Sequence, residues 1–203
     1  MRLLITTLLL FSFSFVSQSQ TDSSRIIKVH FLYGSKPLKK YKSTEMKYFG
    51  GIHGGHVTIE VDSIDYGFAP TGRVHMLPHK RNCHSQFSGK HTHNQPPYPK
   101  GYKVVSFTIP ISQEQYDQLN KIHKDYLSKP PYDYAFFGMR CSAATEDILG
   151  QIGILKKKKR NSKIVRTNFY PKKLRKRMFK LAKQRNYTVI KQEGRPTRKW
   201  EKD

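Results

Sequence analysis

Residues 54–70 read GGHVTIEVDSIDYGFAP, and this stretch carries the clearest fold signal in the chain. The apolar residues of HVTIEV alternate with polar ones, as they do in a strand that buries one face. Asp62 and Ser63 favour a tight turn, after which IDYGFAP returns as a second strand. The stretch therefore predicts an antiparallel hairpin that begins at His56.

Other segments with strand or helix character surround this hairpin. Ser112 followed by Gln115 matches a capping box, so a helix should begin there and stop before Pro130 and Pro131. A block of strands between helices indicates an α+β fold with an antiparallel sheet packed against helices. The predicted strands are 25–33, 102–110 and 187–190, with 72–78 as a further candidate. The further predicted helices run from 141 to Gly150 or Gly153 and from 171 to about 185, and residues 79–101 are predicted to form a long surface loop.

One of the two cysteines lies in the stretch YDYAFFGMRCSAAT, residues 132–145. Cys141 opens a predicted helix, where the helix dipole lowers a thiol pKa and unpaired backbone N–H groups can hold an oxyanion. This placement is typical of a nucleophile. The alternative is a small buried residue packed against Phe136 and Phe137.

A thiol nucleophile needs a base, and His56 is the best placed of the nine histidines. It starts a strand directly after Gly54 and Gly55, on the more polar face, where the backbone is uncrowded. We expect His56 to pair with Cys141.

Three stretches together carry a family resemblance: GGHVTIEVDSIDYGFAP, YKVVSFTIPISQEQYDQL and PYDYAFFGMRCSAATEDIL. They resemble the circularly permuted branch of the NlpC-type papain-like cysteine hydrolases, which includes the lecithin retinol acyltransferase-like proteins. In that branch the histidine strand precedes the cysteine helix, as His56 precedes Cys141 here. The resemblance spans roughly residues 50–155 and implies a papain-like fold with Cys141 as nucleophile and His56 as base.

The third catalytic residue has two candidates. The acyltransferase-like members carry a second histidine in a context similar to RVHMLP, which implies His75. Simple hairpin pairing about Asp62 and Ser63 would instead bring Asp65 to the His56 face. Of the two candidates, His75 is slightly preferred because of the resemblance. The chain also departs from the family by placing Arg140, where Asn is common, before the cysteine.

The loop after the hairpin supplies a rival set of chemistry-bearing residues. It holds six potential metal ligands without a recognised spacing, so a hydrated basic loop is favoured over a zinc or copper site, and no cofactor is expected. Cys83 could also form a disulfide with Cys141 in an oxidising compartment, which would rule out a thiol nucleophile. The six are His75, His79, Cys83, His84, His91 and His93.

The first 20 residues predict a signal peptide, because Arg2 precedes an apolar stretch from Leu3 to about Val16. We therefore expect a protein exported to the periplasm or beyond, with one domain in 21–203 that ends in a basic helix and strand at about 156–203.

The formal charge is +24, and the region from Lys156 to Asp203 holds twenty Lys and Arg against three acids. Such a surplus favours anionic partners; for an exported protein, envelope polymer or a membrane surface is favoured over nucleic acid. The sequence thus predicts an exported cysteine hydrolase or acyltransferase that cleaves a peptide, amide or lipid ester bond in the cell envelope. The alternative is a non-catalytic basic protein of the same fold that binds anionic polymer or membrane.

Overall fold

The structure is a computed structural model that describes residues 25–45, 55–92, 98–157 and 170–203. The predicted signal peptide and His93 lie outside the described residues. Within the described ranges, the strands are β1 (Arg25–Leu32), β2 (Ser35–Pro37), β3 (His56–Val61), β4 (Ile64–Pro70), β5 (Ser85–His91), β6 (Val104–Ile111), β7 (Thr188–Gln192) and β8 (Arg198–Trp200), and the α-helices are α1 (Gln113–Ser128), α2 (Cys141–Gln151) and α3 (Pro171–Arg185).

Six strands form one antiparallel sheet in the order β5-β4-β3-β1-β6-β7. The predicted hairpin is β3–β4, and its register pairs Glu60 with Asp65. Asp62 and Ser63 have φ values of 49° and 60°. Two adjacent positive φ angles match the two-residue turns that follow strand twist, so the turn prediction is confirmed.

All three helices contribute to the buried core that covers one face of this sheet. Leu119 of α1, Ile148 of α2 and Leu174 of α3 belong to the same buried cluster as Val29 and Phe107 of the central strands. The Ser112 capping box is present at the start of α1, as predicted. The coarse α+β prediction is therefore confirmed, with an antiparallel sheet packed against helices.

The opposite face of the sheet carries a row of buried polar side chains. His30 on β1 lies 2.7 Å from Ser106 Oγ through Nδ1 and 3.1 Å from Glu60 Oε2 through Nε2. Lys28 donates to the second Glu60 oxygen at 2.7 Å. These partners hold the pKa of Glu60 below its ordinary value, mainly through the His30 hydrogen bond. Both carboxylate oxygens of Glu60, on the polar face of β3, are thus hydrogen-bonded.

Two local predictions are wrong. Residues 72–78 form a loop with one isolated bridge at His75, and the loop predicted at 79–101 contains strand β5. Ser85 and Phe87 of β5 are buried while the following residues are exposed, as expected of a strand at the sheet edge. Pairing with β4 compensates for the weak strand propensity of its glycine and serines.

The C-terminal segment folds back onto the body. Its last strand, β8, pairs with β2, and the tail supplies Glu201 and Asp203 to Arg175 of α3 at 3.2 and 2.9 Å. Arg175 is fully buried because these carboxylates and the Tyr33 ring, 3.7 Å away, surround its guanidinium. The buried side of α3 therefore includes an ion-paired arginine. Among the described residues, no helix has both the length and the apolar character that crossing a bilayer requires.

Candidate active site

Cys141 is the first residue of α2, and a tight loop directly precedes it. Gly138 N donates to Ala135 O at 3.2 Å, which closes the loop before the helix. A Cβ at Gly138 would lie 2.6 Å from Pro78 Cγ, so this approach requires glycine. Arg140 is extended, with φ −133° and ψ 176°, and the chain turns into the helix at the next residue. The loop geometry fixes the thiol at the helix N-terminus.

The Cys141 thiol is buried, and its neighbours favour its ionised form. Only 4% of the residue is exposed. Burial by itself would raise the thiol pKa, but the charge of His56 and a hydrogen bond from its imidazole outweigh burial, so the pKa lies below its ordinary value. The backbone N–H groups of Val57 and Ser142 also donate to the sulfur. The arrangement stabilises a thiolate at a helix start.

His56 is the first residue of β3, and its pKa shifts in the opposite direction. Burial would lower the imidazole pKa, but the Cys141 thiolate and the Asp65 carboxylate raise it above its ordinary value. The preceding Gly55 has φ 88°, and a Cβ there would lie 1.6 Å from Leu32 O. Glycine is therefore required for the chain to enter β3 here. The opposite shifts of the two pKa values are those of a thiolate–imidazolium pair.

Asp65 lies on the same face of the hairpin as His56, as simple pairing predicted. It stands opposite Glu60 in the register, and Gly67, opposite Thr58, separates it from the His56 end. Burial raises the Asp65 pKa, and the Thr58 hydroxyl and the charges of His30 and His56 oppose that rise. The Asp65 carboxylate therefore acts electrostatically on His56.

His75 is held by a different acid. Its Nδ1 lies 2.5 Å from Asp133 Oδ2, and Asp133 also accepts from the backbone N–H groups of His79 and His84 at 3.0 and 2.8 Å. The His75 ring stacks on His79 at 3.9 Å and lies 4.6 Å from His84. Together these contacts join the 73–84 loop to the loop before α2. Among the described residues, none of these contacts reaches Cys141 or His56.

Tyr134 is the residue at this site that sequence reasoning missed. The Cys141 backbone N–H donates to the Tyr134 phenol oxygen, and the phenol also hydrogen bonds to the thiol. Burial and the Cys141 charge raise the Tyr134 pKa, and Arg140 opposes them. Its only signal in the sequence is its position seven residues before the cysteine. The Tyr134 phenol oxygen thus takes up the backbone N–H of the first residue of α2.

Tyr98 is a second side chain that the sequence did not single out. Burial raises its pKa, and so do the charges of Asp65 and Cys141, whereas a hydrogen bond to Thr58 opposes the rise. Its phenol therefore lies at the polar side of the pair. It belongs to a segment predicted only as a polar loop.

Arg140, which directly precedes the cysteine, lies among aromatic rings. Its guanidinium is 4.9 Å from the Phe136 ring centroid and 5.1 Å from that of Tyr170. Such contacts favour a cation over an aromatic face. The arginine thus contributes positive charge beside the loop that carries Tyr134.

The structure also bears on the two alternatives for these side chains, a disulfide between Cys83 and Cys141 and a metal site. Cys83 is exposed and Cys141 buried, and both are free thiols. Within the described parts of the chain, no group of three His, Cys, Asp or Glu residues is arranged to hold a metal ion. The histidines that are brought together, at 75, 79 and 84, interact with Asp133 and with one another.

Comparison with known proteins gives no further assignment: no family model, curated protein or solved structure matches this chain.

Proposed function

We propose that this protein is an exported cysteine hydrolase or acyltransferase of the permuted papain-like kind. The observation that carries the proposal is the buried pair of Cys141 and His56, with the thiol pKa lowered and the imidazole pKa raised. A buried structural thiol would have its pKa raised by burial. The order of His56 before Cys141 agrees with the permuted branch of that superfamily.

The reaction begins with attack by the Cys141 thiolate on the carbonyl carbon of an amide or ester. A carbon–sulfur bond forms, and the carbonyl electron pair moves onto oxygen. The Cys141 backbone N–H and the Tyr134 hydroxyl donate to that oxygen, since the phenol can rotate its proton outward as the substrate displaces it. When the intermediate collapses, the leaving amine or alcohol takes a proton from His56.

The thioester that remains is cleaved by water or by another acceptor. His56, now neutral, removes a proton from the acceptor, which attacks the thioester carbon. The carbon–sulfur bond breaks, the acid or transferred acyl product leaves, and the thiolate and imidazolium return. Asp65 is the third residue that this mechanism favours, since its negative charge supports the imidazolium.

The test is the pH dependence of iodoacetamide alkylation, followed by mass spectrometry in wild type and His56→Ala. Cys83 is an internal control, because it is exposed and its pKa is raised, mainly by desolvation. We expect Cys141 to be alkylated at lower pH than Cys83, and His56→Ala to move the Cys141 titration upward, towards the ordinary thiol pKa of about 8.5. A Cys141 titration near that value in wild type, indifferent to His56, would refute the proposal.

A second candidate function is non-catalytic binding of an anionic envelope polymer. The observation that favours it is the outer face of α3, where Lys173, Lys176, Lys180, Lys183 and Arg185 are exposed. This function needs no thiolate, so Cys141→Ser would retain salt-sensitive binding and full biological activity. Loss of activity in Cys141→Ser with intact polymer binding would favour the hydrolase.

A further inference from the structure

The 73–84 loop and the loop that precedes Cys141 are joined into one unit by backbone hydrogen bonds. Phe136 N donates to His75 O at 2.7 Å, and Phe137 N donates to Met76 O at 2.9 Å. The Asp133 hydrogen bonds hold the base of this unit. The backbone that carries the side chains of this unit is therefore hydrogen-bonded to the loop that precedes Cys141.

The side chains that this unit exposes are large and apolar. Met76 and Leu77 are each 62% exposed, and Val74 and Phe137 are exposed as well. We call these four residues the apolar tip. The other exposed large hydrophobic residues of the described chain are scattered over separate elements: Ile26, Leu38, Leu127 and Ile190. A contiguous exposed apolar patch marks an interaction site, whereas single exposed residues do not.

The surroundings of the apolar tip are cationic. Arg73, Lys80 and Arg81 are exposed next to it in the chain. No Asp or Glu occurs between Asp65 and Glu114 in the sequence. Apolar side chains with a rim of Lys and Arg are the combination that binds an anionic lipid surface, where the apolar groups enter the interface and the cations meet the headgroups.

We propose that the apolar tip inserts into the surface of an anionic bilayer and brings the Cys141 site to the lipid–water interface. A soluble polyanion would need only the cations, which α3 already offers without any exposed large apolar side chain. The docking does not depend on the proposed function, because insertion of the apolar tip needs no thiolate.

The docking is tested by flotation of the full chain with vesicles of phosphatidylcholine containing 30% phosphatidylglycerol. Met76→Ser with Leu77→Ser should lower binding at least tenfold, since both side chains lose interfacial burial. The matched control is Ile26→Ser with Ile190→Ser, which removes two equally exposed residues elsewhere. Circular dichroism melts establish that both variants are folded. If the tip variant and the wild type bind equally, insertion is overturned and binding is through the cationic residues alone.

The cationic rim is tested in the same assay. Lys80→Gln with Arg81→Gln should lower binding to the anionic vesicles about tenfold, while Lys121→Gln with Lys124→Gln on α1 should leave it unchanged. If binding to pure phosphatidylcholine vesicles were as strong as to anionic ones, the proposed preference for an anionic surface would be wrong. Cys141→Ser should bind like wild type, which separates docking from catalysis.

Discussion

The Nε2 atom of His56 lies 3.3 Å from the position that a Cβ atom would take on Gly67. The same position is 3.3 Å from Thr58 Cγ2, so the imidazole and the threonine methyl fill the space that a side chain on β4 would need. The missing side chain of Gly67 thus gives the catalytic candidate its place on the sheet.

We expect Gly67→Ala to displace the His56 ring by a few tenths of an ångström and to lower the rate of Cys141 alkylation at pH 6.5 several-fold, up to about tenfold, because misplacement of a base is costly. The melting temperature should not fall, since alanine is the better strand residue. Gly72→Ala is the control, where a Cβ would meet its nearest atom, in His84, at 3.8 Å. Full reactivity in Gly67→Ala would show that the ring has room to spare.

Asp65 and His75 can be separated through the pH profile of ester hydrolysis. Asp65 raises the His56 pKa, so Asp65→Asn should lower that pKa and move the alkaline limb of the profile to lower pH. His75→Asn should leave the limb in place and destabilise the 73–84 loop, because the buried Asp133 loses a partner. The measurement is p-nitrophenyl acetate hydrolysis between pH 5 and 9. A limb that moves in His75→Asn alone would reverse the assignment.

Removal of the Tyr134 hydroxyl should affect turnover more than thiol reactivity. Tyr134→Phe loses one donor to the oxyanion, which costs about 10²-fold in kcat at comparable sites. Alkylation of Cys141 has no oxyanion and should change only a few-fold. Tyr187→Phe serves as control, since among the described residues its hydroxyl accepts a hydrogen bond from Arg185 alone. Equal losses in hydrolysis and alkylation would assign Tyr134 to thiolate stabilisation instead.

His123 on α1 should make the fold sensitive to acid. Its ring stacks on Tyr66 at 3.8 Å, and neither ring nitrogen has a hydrogen-bond partner among the described residues. Burial lowers its pKa from 6.5 to about 4. The unfolded chain therefore binds a proton that the folded chain does not, and stability falls as pH drops from about 6.5 towards 4, by at most about 3 kcal/mol.

The check is denaturant unfolding of wild type and His123→Leu at pH 7 and pH 4.5. The wild type should lose more stability than the variant over this interval, by about 2 kcal/mol. The carboxylates titrate in both proteins, so their contributions to the loss of stability cancel in the difference. Equal losses would mean that the imidazole finds a partner or water when it is protonated.

Local patterns were sufficient for most elements. The β3–β4 hairpin and the capped start of α1 are set by alternation, turn residues and a capping box, which act over a few neighbouring residues. Strand β5 was missed because its stability comes from pairing with β4 and not from its own residues. Arg175 within α3 was equally invisible, since the carboxylates that pair with it lie at the far end of the chain.

The sequence by itself determined the candidates of the site: a cysteine at a helix start, a histidine at a strand start after glycine, and two possible third residues. Only the tertiary structure decided their partners, because side chains distant in the chain meet through sheet register and helix packing. It placed His56 against Cys141, Asp65 within electrostatic reach of His56, and His75 on Asp133. A hydrogen bond between residues 58 positions apart leaves no periodic trace in the sequence.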